Sequence, residues 1–320
     1  MNAAIEIQHL YKTYSRGQWF GGGHETPVLK DVSLVLPANR VLGLVGESGC
    51  GKSTLCKVLL GIEKPTSGTV LVENQNVAKI SKTQFKNLRR VMQVVYQDPY
   101  SSLDPRMTVR QLLSEPLDIH GLYPQKTART KFLKELLSAV GLAPNYLERY
   151  PHEFSGGQRQ RISIARALTL DPKILIADEP VSALDVSVQA QILNLLRDIS
   201  RARKLAMLFV THDFAVARFL CDDIAVMYQG RIVEKAPAQE LFTHPLHPYT
   251  RMLLAAVPQV GKKMRGASTP AAACGPNTEG ACSFASRCPQ AGSACRQTQL
   301  QEITPQHWCA CSHLPEGENK

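Results

Sequence analysis

The chain has 320 residues, enough for one large or two modest domains, and its 44% hydrophobic and 20% charged residues are ordinary for a soluble globular protein. The balance of 37 basic against 27 acidic residues, a net +10, points to an anionic partner, and no apolar run approaches the ~20 residues of a membrane span. The charge is spread without a long basic block, which fits a phosphate-rich ligand or acidic lipid better than a nucleic-acid groove, so no nucleic-acid partner is expected. With Glu6 inside a short mixed stretch, the N-terminus does not read as a signal peptide, and a cytoplasmic placement is expected.

Ala4 to Tyr11 alternates Ile5, Ile7 and Leu10 with Glu6, Gln8 and His9, which predicts a strand. The glycine-rich stretch from Ser15 to Thr26 reads as a flexible insertion, and Val28 to Leu36 as a second strand. Val41 to Val45 is an apolar run after the turn signal Pro37-Ala38-Asn39, the pattern of a buried parallel strand. It leads into Gly46-Glu47-Ser48-Gly49-Cys50-Gly51-Lys52-Ser53, a G-x-x-x-x-G-K-[ST] phosphate-binding loop, and then a helix from Thr54 to Leu60 that Gly61 closes. Strand, loop and helix in that order aim successive N–H groups and a positive helix end at one anion. Glycine at 46, 49 and 51 is expected to take positive φ and admit the phosphates without a Cβ in the way. Lys52 is expected to reach the β- and γ-phosphates and Ser53 to ligate Mg2+, with Glu47, Ser48, Cys50 and Thr54 completing the cradle. Tyr14 is a candidate to stack on an adenine ring, or a tyrosine that merely packs.

Thr69 to Val72 resumes strand character, and Val91 to Tyr96 is a further β-rich run that ends on Gln97. A glutamine at the end of a buried strand can touch a metal ion or attacking water, or be a plain turn residue. From Thr108 to Leu147 the pattern is helical: Val109, Leu112 and Leu113 share a face, as do Phe132, Leu133, Leu136, Leu137 and Val140. Ser155 and Gln158 have capping-box spacing at the start of another helix, which carries Ile162, Ala165 and Leu168. Gly156 and Gly157 in its first turn weaken it by about 1 kcal/mol each relative to alanine. An anion at the uncluttered helix start accounts for that cost, and packing alone does not.

Pro172 to Glu179 is an apolar strand ending in two carboxylates. Asp178 can hold Mg2+ through water, and Glu179 can polarise a water in line with the γ-phosphate. Ser182 to Asp185 opens the next helix, with Val188, Ile192, Leu195 and Leu196, and the strand Ala206 to Val210 ends on Thr211-His212-Asp213, where His212 is placed near the phosphates. Of nine cysteines, Cys50, Cys56 and Cys221 are scattered and six lie between Cys274 and Cys311. In a reducing compartment such a cluster means metal more often than disulfide.

The phosphate loop, Gln97, Ser155–Gln158, Asp178-Glu179, Ser182–Asp185 and His212 together resemble an ATP-binding-cassette ATPase in order and spacing, over about the first 250 residues. The resemblance implies an α/β P-loop NTPase with a RecA-like core, an antiparallel β subdomain and an α-helical subdomain inserted at about 100–170. It assigns 1–255 to the ATPase domain and 256–320 to a Cys-rich extension. It implies ATP and Mg2+, the latter on Ser53, Gln97 and Asp178, held in a head-to-tail dimer where Ser155, Gly156, Gly157 and Gln158 of one subunit face the nucleotide of the other. Glu179 is then the general base, His212 a γ-phosphate contact, Gln97 a sensor of Mg2+ and of the transporter, and Asp185 a nucleotide-binding residue. Phe154 stands where many members have leucine, an exchange expected to be tolerated.

Tyr150-Pro151-His152, the run from Ala177 to Ser187, and His247-Pro248-Tyr249-Thr250 are similar to the dipeptide/oligopeptide/nickel importer subfamily. That resemblance implies a homologous, non-identical partner ATPase, two transmembrane permease subunits and an extracytoplasmic solute-binding protein, with this chain peripheral on the cytoplasmic face of the inner membrane. Alternatives are import of nickel or another small solute, or a soluble accessory ATPase such as that of carbon–phosphorus lyase. Cys282, Cys288, Cys295 and Cys311 are similar to the subfamily's C-x-F-x-x-R-C-x6-C…C element, for which a [4Fe–4S] cluster is implied. Zinc or unligated thiols remain open. Cys309 competes with Cys311 for the fourth place, and Cys274 is an extra thiol.

Overall fold

The computed structural model describes residues 3–15, 25–256, 281–296 and 298–313; most of the glycine-rich stretch and Cys274 lie outside them. In chain order the elements that position the site begin with β1 (Ala3–Ser15), β2 (Glu25–Pro37), β3 (Val41–Val45), α1 (Lys52–Leu59), β4 (Ser67–Val72) and β5 (Gln75–Asn76). Next come α2 (Lys82–Val91), β6 (Met92–Val95), α3 (Pro99–Ser102), α4 (Val109–His120), α5 (Lys126–Ala139), α6 (Gly156–Leu168), β7 (Ile174–Asp178) and α7 (Val186–Arg203). The chain continues through β8 (Ala206–Thr211), α8 (Phe214–Leu220), β9 (Asp223–Tyr228), β10 (Arg231–Pro237), α9 (Ala238–Thr243), α10 (Pro248–Ala255), β11 (Gln301–Thr304) and β12 (His307–Cys309). It divides into two compact units, one of Met1–Ile5, Leu36–Val41 and Leu71–Val210, the other of Glu6–Val35, Leu42–Val70 and Thr211 onward.

In the first unit β6, β7 and β8 run parallel, with Val94 opposite Ile176 and Ile176 opposite Leu208. Parallel strands covered on both faces need unbroken apolar sequence. Ile174 to Ala177 and Ala206 to Val210 supply it, every one buried. The helical pattern from Thr108 resolves into α4 and α5. Thr108 caps α4 through a capping box with Gln111, and Gly121 ends it in the left-handed region at φ 66°. Of the predicted faces, Val109, Leu112, Leu113, Leu133, Leu136, Leu137 and Val140 are buried, as is Ile162 of α6, whereas Phe132 is half-buried and stacks on Tyr123.

In the second unit β3 pairs in parallel with β9, Leu44 opposite Ala225. The β9–β10 hairpin turns on Gln229 and Gly230, both at positive φ, the demand of a tight primed turn. At Gly230 a Cβ would stand 2.2 Å from the Val28 carbonyl oxygen. β10 continues antiparallel to β12, with Glu234 opposite Cys309, and β12 to β11. β2, β1 and β4 lie side by side in a second sheet. Among the described residues no helix is long and apolar enough to cross a membrane.

Candidate active site

The phosphate loop, in the second unit, joins the buried β3 to α1. Gly51 at φ 113° and Gly49 at φ 80° take the left-handed conformations expected of them. Gly46 does not, and is required for another reason: a Cβ there would lie 2.2 Å from the Met227 carbonyl oxygen of β9. The residue before α1, Gly51, has no side chain to cap it, as suits a helix start that faces an anion. Lys52 is buried and folded back, its Nζ donating to the Gly46 and Glu47 carbonyls at 2.6 and 3.1 Å. Ser53 is exposed. Burial pushes the Cys50 thiol up, against the pull of the Lys52 charge.

Glu47 is fixed at three points. Its carbonyl takes Lys52, its N–H donates to the Tyr249 hydroxyl at 3.1 Å, and its carboxylate receives both terminal nitrogens of Arg287 at 2.9 and 3.1 Å. Tyr249 and Arg287 stand in the stretches that mark the subfamily, and their bearing on the loop is not legible in the sequence, because 202 and 240 residues separate the partners. Also in this unit, Tyr14 lies in β1 with the Lys12 ammonium 4.7 Å above its ring, and His212 is exposed just after β8.

The first unit carries the remaining candidates. Asp178 ends β7, and the Val95 to Ala177 register brings Gln97 and Glu179, each two residues further on, out at the same edge of the sheet. Glu179 sits at φ 47°, a conformation that costs a non-glycine residue on the order of 1–3 kcal/mol and is typical of functional turns. Its N–H donates to the Val210 carbonyl at 3.0 Å, and its carbonyl accepts from the Ser182 hydroxyl at 3.0 Å, so the turn is held from both sides.

At the start of α6 the capping box is formed: Ser155 N–H donates to Gln158 Oε1 at 3.0 Å, and Gln158 N–H to Ser155 Oγ at 3.4 Å. Phe154 is buried edge-on against Tyr146, so the exchange from leucine is accommodated in a ring pair. A Cβ on Gly157 would stand 2.4 Å from Val188 Cγ1, whereas one on Gly156 meets only Leu184 at an ordinary 3.5 Å. Packing against α7 therefore explains Gly157, correcting the expectation that only an anion could; Gly156 has no such steric reason. Asp185 caps α7, accepting from the Val188 N–H at 3.0 Å and the Ser187 hydroxyl at 2.7 Å, and these bonds hold its carboxyl below the usual range. The α6 start and the Asp185 turn are thus brought together.

Cys282, Cys288, Cys295 and Cys311 line one cavity of about 10 Å3, with His247 and His313. Cys309 is not on it; it is fully buried in β12. Burial pushes the Cys282 thiol up to about 11. The space holds about one water, and among the described residues no group of three or more histidine, cysteine or acidic side chains closes on an ion.

Residues 29–182 match the ABC transporter family, and residues 233–295 match the oligopeptide/dipeptide transporter C-terminal region. The chain is 44% identical to the di/tripeptide transport ATP-binding protein DppF of Pseudomonas aeruginosa, covering 98% of each. It is also 44% identical to the oligopeptide transport ATP-binding protein AppF of Bacillus subtilis, covering 88% of each. Among solved structures, CbiO1 of Clostridium perfringens, part of the ABC transporter complex CbiONQ, matches at a TM-score of 0.67 and 28% identity, over 76% of this chain and 92% of that one. The dimeric cassette MJ0796, in a post-hydrolysis state bound to ADP and Pi, matches at 0.64 and 28%, over 73% and 98%. With a cassette fold, its motifs in place and that C-terminal region attached, the chain belongs to the ABC transporter family, among the ATP-binding proteins of the oligopeptide/dipeptide branch.

Proposed function

We propose that this chain hydrolyses ATP to drive uptake of di- and oligopeptides, working with a homologous second ATPase, two membrane permeases and an extracytoplasmic solute-binding protein, on the cytoplasmic face of the inner membrane. The observation that carries the reading is the near full-length likeness to a di/tripeptide transport ATP-binding protein, C-terminal region included.

In this reading the loop amides of 46–54 and the Lys52 ammonium bind the β- and γ-phosphates, and Tyr14 stacks on the base. The Ser53 hydroxyl, the Gln97 amide oxygen and the Asp178 carboxylate are hard oxygen donors, the kind Mg2+ takes, and Ser53 stands exposed to receive it. The ion neutralises charge that develops on the phosphates. Glu179 takes the proton of the attacking water, while His212 orients the γ-phosphate. Ser155 to Gln158 serve the nucleotide of the partner ATPase, with the Asp185 turn beside them. The 28% identity to a dimeric cassette supports that division of labour.

Glu179→Gln should keep ATP binding and lose most turnover; hydrolysis at the parent rate would remove Glu179 from the general-base role. Lys52→Ala should weaken ATP binding itself, since the phosphate charge loses its partner. Purification from detergent extracts separates transport from a soluble role. Recovery with two membrane subunits and a second ATPase is expected, and recovery without any membrane subunit contradicts import.

For the cysteines, the reading assigns a [4Fe–4S] cluster to Cys282, Cys288, Cys295 and Cys311. The donor set suits it, and His247, wholly buried on the same cavity, has its Nε2 without a partner among the described residues while Nδ1 accepts from the Tyr249 N–H. The cavity must open to receive such a group. Anaerobic purification with iron, sulfide and zinc analysis decides: iron and sulfide are expected, zinc alone replaces the cluster, and metal-free protein of full stability removes it.

A further inference from the structure

From the three-point hold on Glu47, we infer that Arg287 and Tyr249 are positioning residues of the phosphate loop, so that ATP affinity depends on the seating of the C-terminal extension. The inference rests on the chain being an ATPase and goes beyond it, because neither residue belongs to the cassette motifs.

A phosphate loop works by presenting its amides and lysine in a fixed frame, and disorder in that frame must be removed each time nucleotide binds. Glu47 is the loop's first residue after Gly46, and its carbonyl is one of the two that hold Lys52. What fixes Glu47 in turn is Tyr249, close to the end of the ATPase domain, and Arg287, in the C-terminal extension. The Tyr249 ring is wholly buried, 4.5 Å from Tyr228 and 5.3 Å from Phe284, so its hydroxyl is a rigid acceptor for the Glu47 N–H. Arg287 makes a forked pair with the Glu47 carboxylate, while its guanidinium lies 5.8 Å from the Tyr228 ring centre and 5.7 Å from that of Phe284. A planar fork stacked on rings is pre-organised in a way a lysine is not.

Arg287 ends the one-turn helix Ala285–Arg287, whose bonds run from Ala285 N–H to the Cys282 carbonyl and from Cys288 N–H to the Ala285 carbonyl. Phe284, the apolar plug of this turn, is 1% exposed. Where the turn sits therefore decides where the guanidinium sits. Coupling of this kind is reciprocal: if the seated turn favours nucleotide, nucleotide favours the seated turn by the same factor.

The test uses the full chain in its assembled complex, with ATP as the probe. Arg287→Ala and Tyr249→Phe should each raise the KM and Kd for ATP by about three- to tenfold, the range of one partly exposed forked pair or one hydrogen bond. kcat at saturating ATP should stay within about twofold, and Arg287→Lys should fall between Arg287→Ala and the parent. A purely structural role would lower thermal stability without that split. Hydrogen exchange on the unmodified protein gives a second reading, independent of whether variants fold: saturating ATP should slow exchange of the amides of 282–288. Unchanged ATP affinity in folded Arg287→Ala and Tyr249→Phe, or exchange at 282–288 indifferent to ATP, overturns the inference. A parent that binds no ATP overturns instead the reading on which it rests.

Discussion

At the scale of single residues, Gly157 and Glu179 show two different demands on one backbone. Gly157 is glycine because Val188 occupies the place of a Cβ, so Gly157→Ala should destabilise the fold by about 1–3 kcal/mol, the range of overpacking. Shortening the obstructing side chain in a Gly157→Ala/Val188→Ala pair should recover most of the melting temperature. No recovery would mean that the close approach is not the cause. Glu179 is held in a left-handed turn by bonds to Val210 and Ser182, a conformation glycine adopts freely. Glu179→Gly should therefore preserve stability while removing the carboxylate, and a folded variant of full activity would contradict its assigned chemistry. The motif residues were legible because phosphate, Mg2+ and water chemistry each need particular side chains at fixed spacing. What Gly157 and Glu47 touch was not, since Val188, Tyr249 and Arg287 meet them only once the chain has folded.

At the scale of elements, apolar runs and caps announced themselves. β3 begins and ends where its run of five apolar or glycine residues does, and the Ser155–Gln158 spacing became the capping box of α6. β11 and β12 did not, because Gln301-Glu302-Ile303-Thr304 carries little β pattern and is held by pairing with β12, which pairs in turn with β10. Their anchor is Glu234, wholly buried in β10, whose carboxylate receives the Leu246 and His247 N–H groups at 2.7 and 3.0 Å and meets His307 Nε2 at 2.7 Å. Removing one member of such a network leaves the others unpaired in the interior, at about 3–5 kcal/mol. Glu234→Ala should lower the melting temperature and loosen protease resistance after residue 280; a neutral effect would show the network to be dispensable. Asp185 supplies a pH prediction for α7. Its folded carboxyl is held below 3.8, so its stabilisation is complete above that value and is lost as pH falls through the folded one. The difference in melting temperature between parent and Asp185→Ala should shrink in acid, and a difference constant down to the lowest pH at which the protein folds would contradict the cap.

At the scale of the whole molecule, the cassette motifs alone say that ATP is used, and the region after them says for what. The basic balance of +10 excluded little by itself. The subfamily marks did more, because Tyr249 and Phe284 form a shared aromatic core that binds the C-terminal region to its own unit. The solute was not legible, because the motifs are all those of nucleotide chemistry. The most direct test is reconstitution in proteoliposomes with the two permeases, the second ATPase and the solute-binding protein. The account predicts that a dipeptide accelerates ATP hydrolysis and accumulates inside the vesicles, and that Glu179→Gln in this chain stops accumulation while ATP stays bound. Accumulation at the parent rate with Glu179→Gln, or ATP hydrolysis indifferent to every peptide supplied, would contradict it.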